Sequence, residues 1–247
     1  MSADVLVEGR GLCRRFGTGD TAFVALHHSD LRIMAGDRIA VTGSSGSGKS
    51  TLLHLAAGLD HPTDGTISWP GLGRPCDHPG RVGVVFQAPS LLPALDVLEN
   101  VELVALLAGA TPADARRRAN GALAALELQM LASQLPEELS GGQAQRVAIA
   151  RVLAGAPTLI LADEPTGQLD HDTAGHVLDV LEAAADASGA ALVVATHDPI
   201  VADRFATRWT VSDGRLRTDR PAVADPAPST AATRREPLSP SQTGRPR

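Results

Sequence analysis

The residues with the clearest chemical capacity lie in one run, Gly43-Ser44-Ser45-Gly46-Ser47-Gly48-Lys49-Ser50-Thr51. It follows the apolar stretch RIAV and precedes an apolar helical pattern. That is the strand–loop–helix setting in which G-x-x-x-x-G-K-[ST] cradles phosphate. Glycines let successive backbone N–H groups curl round an anion without Cβ clashes, and a helix N-terminus adds positive potential. Lys49 is expected to neutralise phosphate oxygens and the Ser50 hydroxyl to ligate Mg²⁺. Among 22 basic residues Lys49 is the only lysine, which makes its position informative.

A second candidate is LILAD followed by Glu164. Four apolar residues and then a carboxylate place Asp163 at the C-terminal edge of a strand, where α/β folds bind ligands and where it can hold Mg²⁺ through water. Strand alternation sends Glu164 to the other face, as a candidate to orient and deprotonate an attacking water. A third is Leu139-Ser140-Gly141-Gly142-Gln143, opening the helical run QAQRVAIARVL. Ser140 suits an N-cap. Two glycines exceed what a cap needs and suggest a close backbone approach, with exposed N–H groups offered to an anion. A plain capped helix start is the alternative. The chain then has two phosphate cradles and one lysine between them.

These groups need strands and helices to hold them. Strand candidates are 5–9, 37–43, 65–69, 82–87, 158–163, 191–197 and 208–216; runs such as LILA and LVVA read as strands covered on both faces, as in a parallel sheet. Helical patterns begin near Lys49, Asp96, Pro112, Gly141 and His171. Pro112 and Pro199 sit where N1 prolines belong, and Gly58, Gly109, Gly155 and Gly189 at or near helix ends. The strand-rich start and the helix-rich stretch from about 90 to 150 suggest two subdomains around one α/β core.

Composition excludes several classes. Of 247 residues 43% are hydrophobic and 20% charged, enough for a sizeable core and against wholesale disorder. Aromatics are 2%, with no Tyr, too few for base-stacking nucleic-acid modules, and the net charge of −6 does not favour a polyanion binder. No run approaches the ~20 apolar residues of a membrane span, and the N-terminus lacks a signal-peptide layout. Cys13 and Cys76 have no metal-ligand spacing and read as reduced thiols. Residues 221–247 hold six of the 17 prolines and almost no large apolar side chains, and read as a disordered tail.

Taken together, GSSGSGKST, a glutamine after VVF, LSGGQ, LILADE and a histidine ending VVATH occur in an order and spacing that resemble the ATP-binding subunit of an ABC transporter, over residues 5 to about 217. The resemblance implies an α/β fold: a P-loop NTPase core with an N-terminal antiparallel β subdomain and an inserted α-helical subdomain at about 90–150, all within residues 1–220. It implies ATP and Mg²⁺ as ligands. Two cassettes would pack head to tail as a homodimer, so that Ser140, Gly141, Gly142 and Gln143 of one chain serve the nucleotide in its partner's Gly43–Thr51 loop. Gln87 would sense Mg²⁺ and the γ-phosphate, and His197 would contact the γ-phosphate; with Lys49 and Glu164 they form the catalytic set. Ser50, Gln87 and Asp163 would face the metal, Asp170 would lie in the loop that crosses the dimer interface, and Phe16 would stack on adenine where the family usually has Tyr. A core Phe is the alternative there.

VLENVEL (97–103), ADEPTGQLD (162–170) and the stretch 195–216 resemble the lipoprotein-release and macrolide-export group, with Gln168 for the usual Asn and Asp96 for the usual Thr. The expected partner is a separate membrane permease, not a nucleic acid. The expected location is cytoplasmic, peripheral on the inner face of the membrane. An ATPase that regulates a cell-wall hydrolase through a membrane partner, without transport, is the alternative.

Overall fold

The computed structural model describes residues 5–218; the tail at 221–247, expected to be disordered, lies outside them. The chain opens with β1 (Val5–Phe16), β2 (Phe23–Met34) and β3 (Arg38–Thr42), then α1 (Lys49–Ala56), β4 (Asp64–Ser68) and β5 (Val82–Val85). A helical stretch follows: α2 (Val97–Leu107), α3 (Pro112–Ala125) and α4 (Gly141–Ala154). The remainder alternates: β6 (Leu159–Asp163), α5 (His171–Ser188), β7 (Ala191–Thr196), the short α6 (Pro199–Ala202), β8 (Thr207–Ser212) and β9 (Arg215–Thr218).

Two sheets result. One is antiparallel, ordered β2-β1-β4; the other is ordered β5-β6-β7-β3-β8-β9 and parallel except for its last pair. β2 was not expected as a strand. Its sequence FVALHHSDLRIM breaks alternation with a polar middle, and register shifts in the β1–β2 ladder absorb the break so that Leu26, Leu31 and Ile33 still face inward. β1 accordingly runs to Phe16, well past the expected Gly9. At the other end, Asp213 and Gly214 both have positive φ (48° and 69°) and fold 208–216 into a hairpin rather than one strand.

The parallel strands are apolar on both faces, for two reasons. Ala40, Ile160, Leu192 and Val194 pack under the helical layer with Val101, Leu123, Val147 and Ile149. Ile39, Val41, Leu161 and Val193 pack on α1 and the antiparallel sheet, with Leu52, Leu55, Leu6 and Ile33. Helix ends follow their signals: Pro112 and Pro199 are N1 residues, and Gly58, Gly109 and Gly189 take positive φ. Gly155 stays helical and Ala156 takes φ 49° in its place. Cys13 and Cys76 are both unpaired. Among the described residues no helix is long and apolar enough to cross a membrane.

Candidate functional site

Register brings the chemistry to one edge. Thr42 of β3 pairs with Thr196 of β7, and Asp163 of β6 with Ala195 of β7, so the three strands end level. Gly43, Glu164 and His197 are therefore the first residues beyond a common sheet edge. The loop after β3 is pinned from two sides: a Cβ on Gly43 would lie 2.2 Å from the Val211 carbonyl oxygen, and one on Gly48 2.3 Å from that of Ala25. The β8–β9 turn ties it further, with the Gly214 N–H donating to Ser47 O (3.0 Å) and the His27 N–H to Gly214 O (2.7 Å).

Lys49, at the start of α1, is 6% exposed. Its ammonium donates to the carbonyls of Gly43 (2.9 Å) and Ser44 (3.2 Å) and lies 3.5 Å from Glu164 Oε1. The cation is thus folded back over the loop whose amides would hold a phosphate. Asp163 is 4% exposed; burial pushes its carboxyl above the ordinary value, and the Ser50 hydroxyl donating to it partly offsets this. Its Oδ1 is buried without a hydrogen-bond partner.

Glu164 does not turn away as strand alternation implied. β6 ends at Asp163, and Glu164 takes φ 48°, a left-handed conformation that is strained for a side chain of this size. That twist swings its carboxylate back into the site, where His197 Nδ1 lies 2.9 Å from both oxygens and Lys49 holds the third side. With Glu164 ionised, the imidazole N–H donates to it. Carboxylate, cation and imidazole form one linked group.

These residues line one cleft of about 510 Å³, together with Ser44, Ser45, Gly46, Thr51, Gln87 and Phe16. Gln87 is exposed and lies past the end of β5, which stops at Val85 rather than continuing through the expected 86–87. The residues present fit Mg²⁺: the orphaned Oδ1 of Asp163 and the hydroxyl of Ser50 are hard oxygen donors side by side. Among the described residues there is no group of three or more His, Cys, Asp or Glu to cage a metal, so phosphate oxygens and water would complete such a shell.

Ser140, Gly141, Gly142, Gln143 and Asp170 do not join this cleft. Ser140 and Gln143 cap α4 reciprocally: Ser140 Oγ accepts from the Gln143 N–H (3.2 Å), and Gln143 Oε1 from the Ser140 N–H (2.8 Å). The Ser140 hydroxyl proton stays available to donate outward. The close approach that the two glycines implied comes from the chain itself: a Cβ on Gly141 would lie 3.2 Å from Gln168 Oε1, and one on Gly142 3.2 Å from a Leu169 methyl. Asp170 caps α5, accepting from the Thr173 N–H at 3.0 Å.

Three positioning residues escaped the sequence reading. Asn100 of α2 is fully buried; it accepts from the Leu92 N–H (2.8 Å) and donates to the carbonyls of Leu92, Leu95 and Asp96. From α4, Gln145 donates to Phe86 O (3.1 Å), and Arg151 to both Ser90 O (2.7 Å) and Ser90 Oγ (2.8 Å). The segment carrying Gln87 is therefore held by two helices. The available signal was a polar residue on an apolar helix face, Asn100 between Val97 and Val101.

Comparison with known proteins agrees with this geometry. Residues 26–167 match the family model described as ABC transporter. The chain is 42% identical over 244 residues to a macrolide export ATP-binding/permease protein, MacB, of Rhodopseudomonas palustris; the match covers 93% of this chain and 37% of that longer protein. It is 39% identical to the lipoprotein-releasing system ATP-binding protein LolD of Chromohalobacter salexigens, over 87% of this chain and 94% of the relative. A dimeric ATP-binding cassette in a post-hydrolysis state, bound to ADP and Pi, superposes with a TM-score of 0.80 at 34% identity, over 88% of this chain and all of that one. By sequence, fold and cleft alike, the chain belongs to the ABC transporter family as an ATP-binding, ATP-hydrolysing subunit of the LolD and MacB kind.

Proposed function

We propose that this chain is the Mg²⁺-dependent motor of a lipoprotein-release or macrolide-export type of transporter, working as a homodimer on the inner membrane face through a separate permease. The observation that carries the homodimer is the division of its groups. Lys49, Asp163, Glu164 and His197 converge on one cleft, while the Ser140–Gln143 helix start, which this reading takes as a second anion-binding surface, lies outside it. A second copy completes each site. No observation favours a role in regulating a cell-wall hydrolase.

In this reading the amides of residues 43–49 and the Lys49 ammonium hold the β- and γ-phosphates. Lys49 moves from the Gly43 and Ser44 carbonyls onto phosphate oxygens, keeping its charge compensated. Ser50, Asp163 and Gln87 would hold Mg²⁺, which would supply neutralisation of phosphate charge. Glu164 accepts a proton from the attacking water, and its placement is kept by His197, whose ring also faces the γ-phosphate. The partner's Ser140 hydroxyl and the Gly141 and Gly142 amides close the site from the other side, and Asp170 lies in the loop between the two.

The test is Lys49→Ala in the purified protein. Hydrolysis should fall to background and ATP binding should weaken, because the cradle loses its built-in cation. Robust hydrolysis by this variant would overturn the assignment of the cleft. The permease assignment is tested by the membrane protein that co-purifies with the chain.

A further inference from the structure

The loop 164–170 leaves the cleft at Glu164 and passes the start of α4 in the same chain. Its backbone is fixed by short-range bonds: the Gly167 N–H donates to Glu164 O (3.2 Å), the Leu169 N–H to Thr166 O (3.0 Å), and Asp170 caps α5. Leu169 packs against the apolar core under the helical layer. Gln168, just before it, is exposed. Its side chain lies over the helix start, close enough that a Cβ on Gly141 would stand 3.2 Å from Gln168 Oε1. The first N–H groups of a helix have no acceptor within it. Here Ser140 Oγ takes only that of Gln143, which leaves the Gly141 and Gly142 N–H groups facing outward.

An amide oxygen is drawn to such a helix start by the same dipole that draws phosphate. The two compete for one place, and an incoming phosphate meets the partial negative charge of Oε1 first. Leu169 cannot leave without opening the core, whereas an exposed glutamine changes rotamer within picoseconds to nanoseconds. The contact is therefore a cost in free energy and not a slow gate. Side-chain length matters as well, since Asn is one methylene shorter than Gln and reaches less far over Gly141.

We infer that Gln168 is an autoinhibitory cover: its carboxamide occupies the start of α4 in the free chain and must swing aside before the nucleotide of a second copy docks there. This rests on the proposed homodimer. The cover sets how much ATP is needed to assemble that dimer and leaves the binding of ATP in the chain's own cleft untouched. Because the pairing is two-fold, each dimer displaces two covers and the effect counts twice.

Two measurements on the full-length chain test it. In the Glu164→Gln background, sedimentation velocity with Mg²⁺-ATP gives the dimer dissociation constant with Gln168 in place and in Gln168→Ala, Gln168→Asn and Gln168→Glu. Interactions with a helix end generally shift an equilibrium about two- to fivefold, so with two covers removed Gln168→Ala should dimerise roughly tenfold more tightly. Gln168→Asn should fall between, and Gln168→Glu, which sets a full negative charge there, should dimerise more weakly. ATP binding to dilute monomer should be unchanged in Gln168→Ala, which general loosening of the fold would not give. The second measurement titrates inorganic tripolyphosphate into isotope-labelled Lys49→Ala protein, whose first cradle has lost its cation, and follows the Gly141 and Gly142 amide resonances. Adding Gln168→Ala should lower the half-saturating concentration about two- to fivefold. Equal dimerisation in Gln168→Ala would overturn the inference, and weaker dimerisation would make Gln168 a contact of the dimer instead. An unchanged tripolyphosphate response at Gly141 and Gly142 would overturn it as well. Failure of the homodimer reading would look different: no variant would dimerise with ATP, while the response in Gln168→Ala still sharpened and left the cover standing.

Discussion

Asp163 combines a functional position with a thermodynamic cost. It sits at the end of a strand buried over its whole length, and burial is the leading cause of its raised pKa. A carboxyl whose folded pKa exceeds its unfolded value of about 3.9 binds its proton more tightly when folded. Its contribution to stability is present below the unfolded pKa and is lost as pH rises through the folded one. Asp163→Asn imitates the neutral form at every pH. In EDTA without nucleotide the variant should therefore melt above wild type near neutral pH, with the gap narrowing toward about pH 4. In the proposed reading, where Asp163 would hold Mg²⁺, its Mg²⁺-ATP hydrolysis should fall by roughly two powers of ten or more. A neutral-pH Tm below that of wild type would show that the carboxylate is better compensated than its burial and orphaned Oδ1 indicate.

At the scale of elements, the cleft depends on helices that never enter it. The segment 86–95 lacks strand partners of its own and is held by side chains of α2 and α4. Asn100 makes three of those bonds, and a further one to the Asp96 carbonyl, from a fully buried position. Asn100→Leu fills similar volume but leaves the Leu92 N–H and several carbonyls without that partner. Unsatisfied buried groups cost about 1–3 kcal/mol each, so a loss of about 2 kcal/mol or more is expected. For a domain of this size that lowers Tm by roughly 4–8 °C. Amide hydrogen exchange at Leu92 should quicken at the same time. A Tm within about 1 °C of wild type would mean that water replaces the lost bonds and that Asn100 does not set the position of Gln87.

The whole molecule carries a net charge of −6, so two copies repel at long range and need something between them. ATP, clasped by the cleft of one copy and the α4 start of the other, is that adhesive in the proposed dimer. Glu164→Gln removes the proton acceptor while keeping shape, and general-base loss costs about 10²–10⁴ in rate. ATP should bind as well or better, since one negative charge near the γ-phosphate is removed. In size-exclusion chromatography with Mg²⁺, the variant should run as a dimer with ATP and as a monomer with ADP or no nucleotide, while wild-type dimers dissociate after hydrolysis. Near-normal turnover would remove Glu164 from the base role. A dead variant that stays monomeric with ATP would mean that a membrane subunit must hold the pair.

What the sequence determined by itself is what depends on neighbours a few residues away. The Gly43–Thr51 spacing, the apolar run before Asp163, the Ser140 cap and the N1 prolines are set by local sterics, capping and burial periodicity, and each lies where its pattern placed it. Tertiary structure decided whatever needed a partner distant in the chain. β2 is a strand because β1 pairs with it across shifted registers, although its own alternation fails. Glu164 faces the cleft because Lys49, His197 and the ladder to Ala195 hold a left-handed residue that local preference disfavours. Phe16 shares its ring with Arg14 and Phe23 because strand pairing brings them together. Asn100 takes up its bonds to the Leu92 backbone only where α2 packs and buries it. Local free-energy preferences of a few tenths to about 1 kcal/mol per residue suffice to mark motifs and elements. The direction of a side chain at a loop or strand end is set instead by non-local packing and hydrogen bonds that together outweigh them.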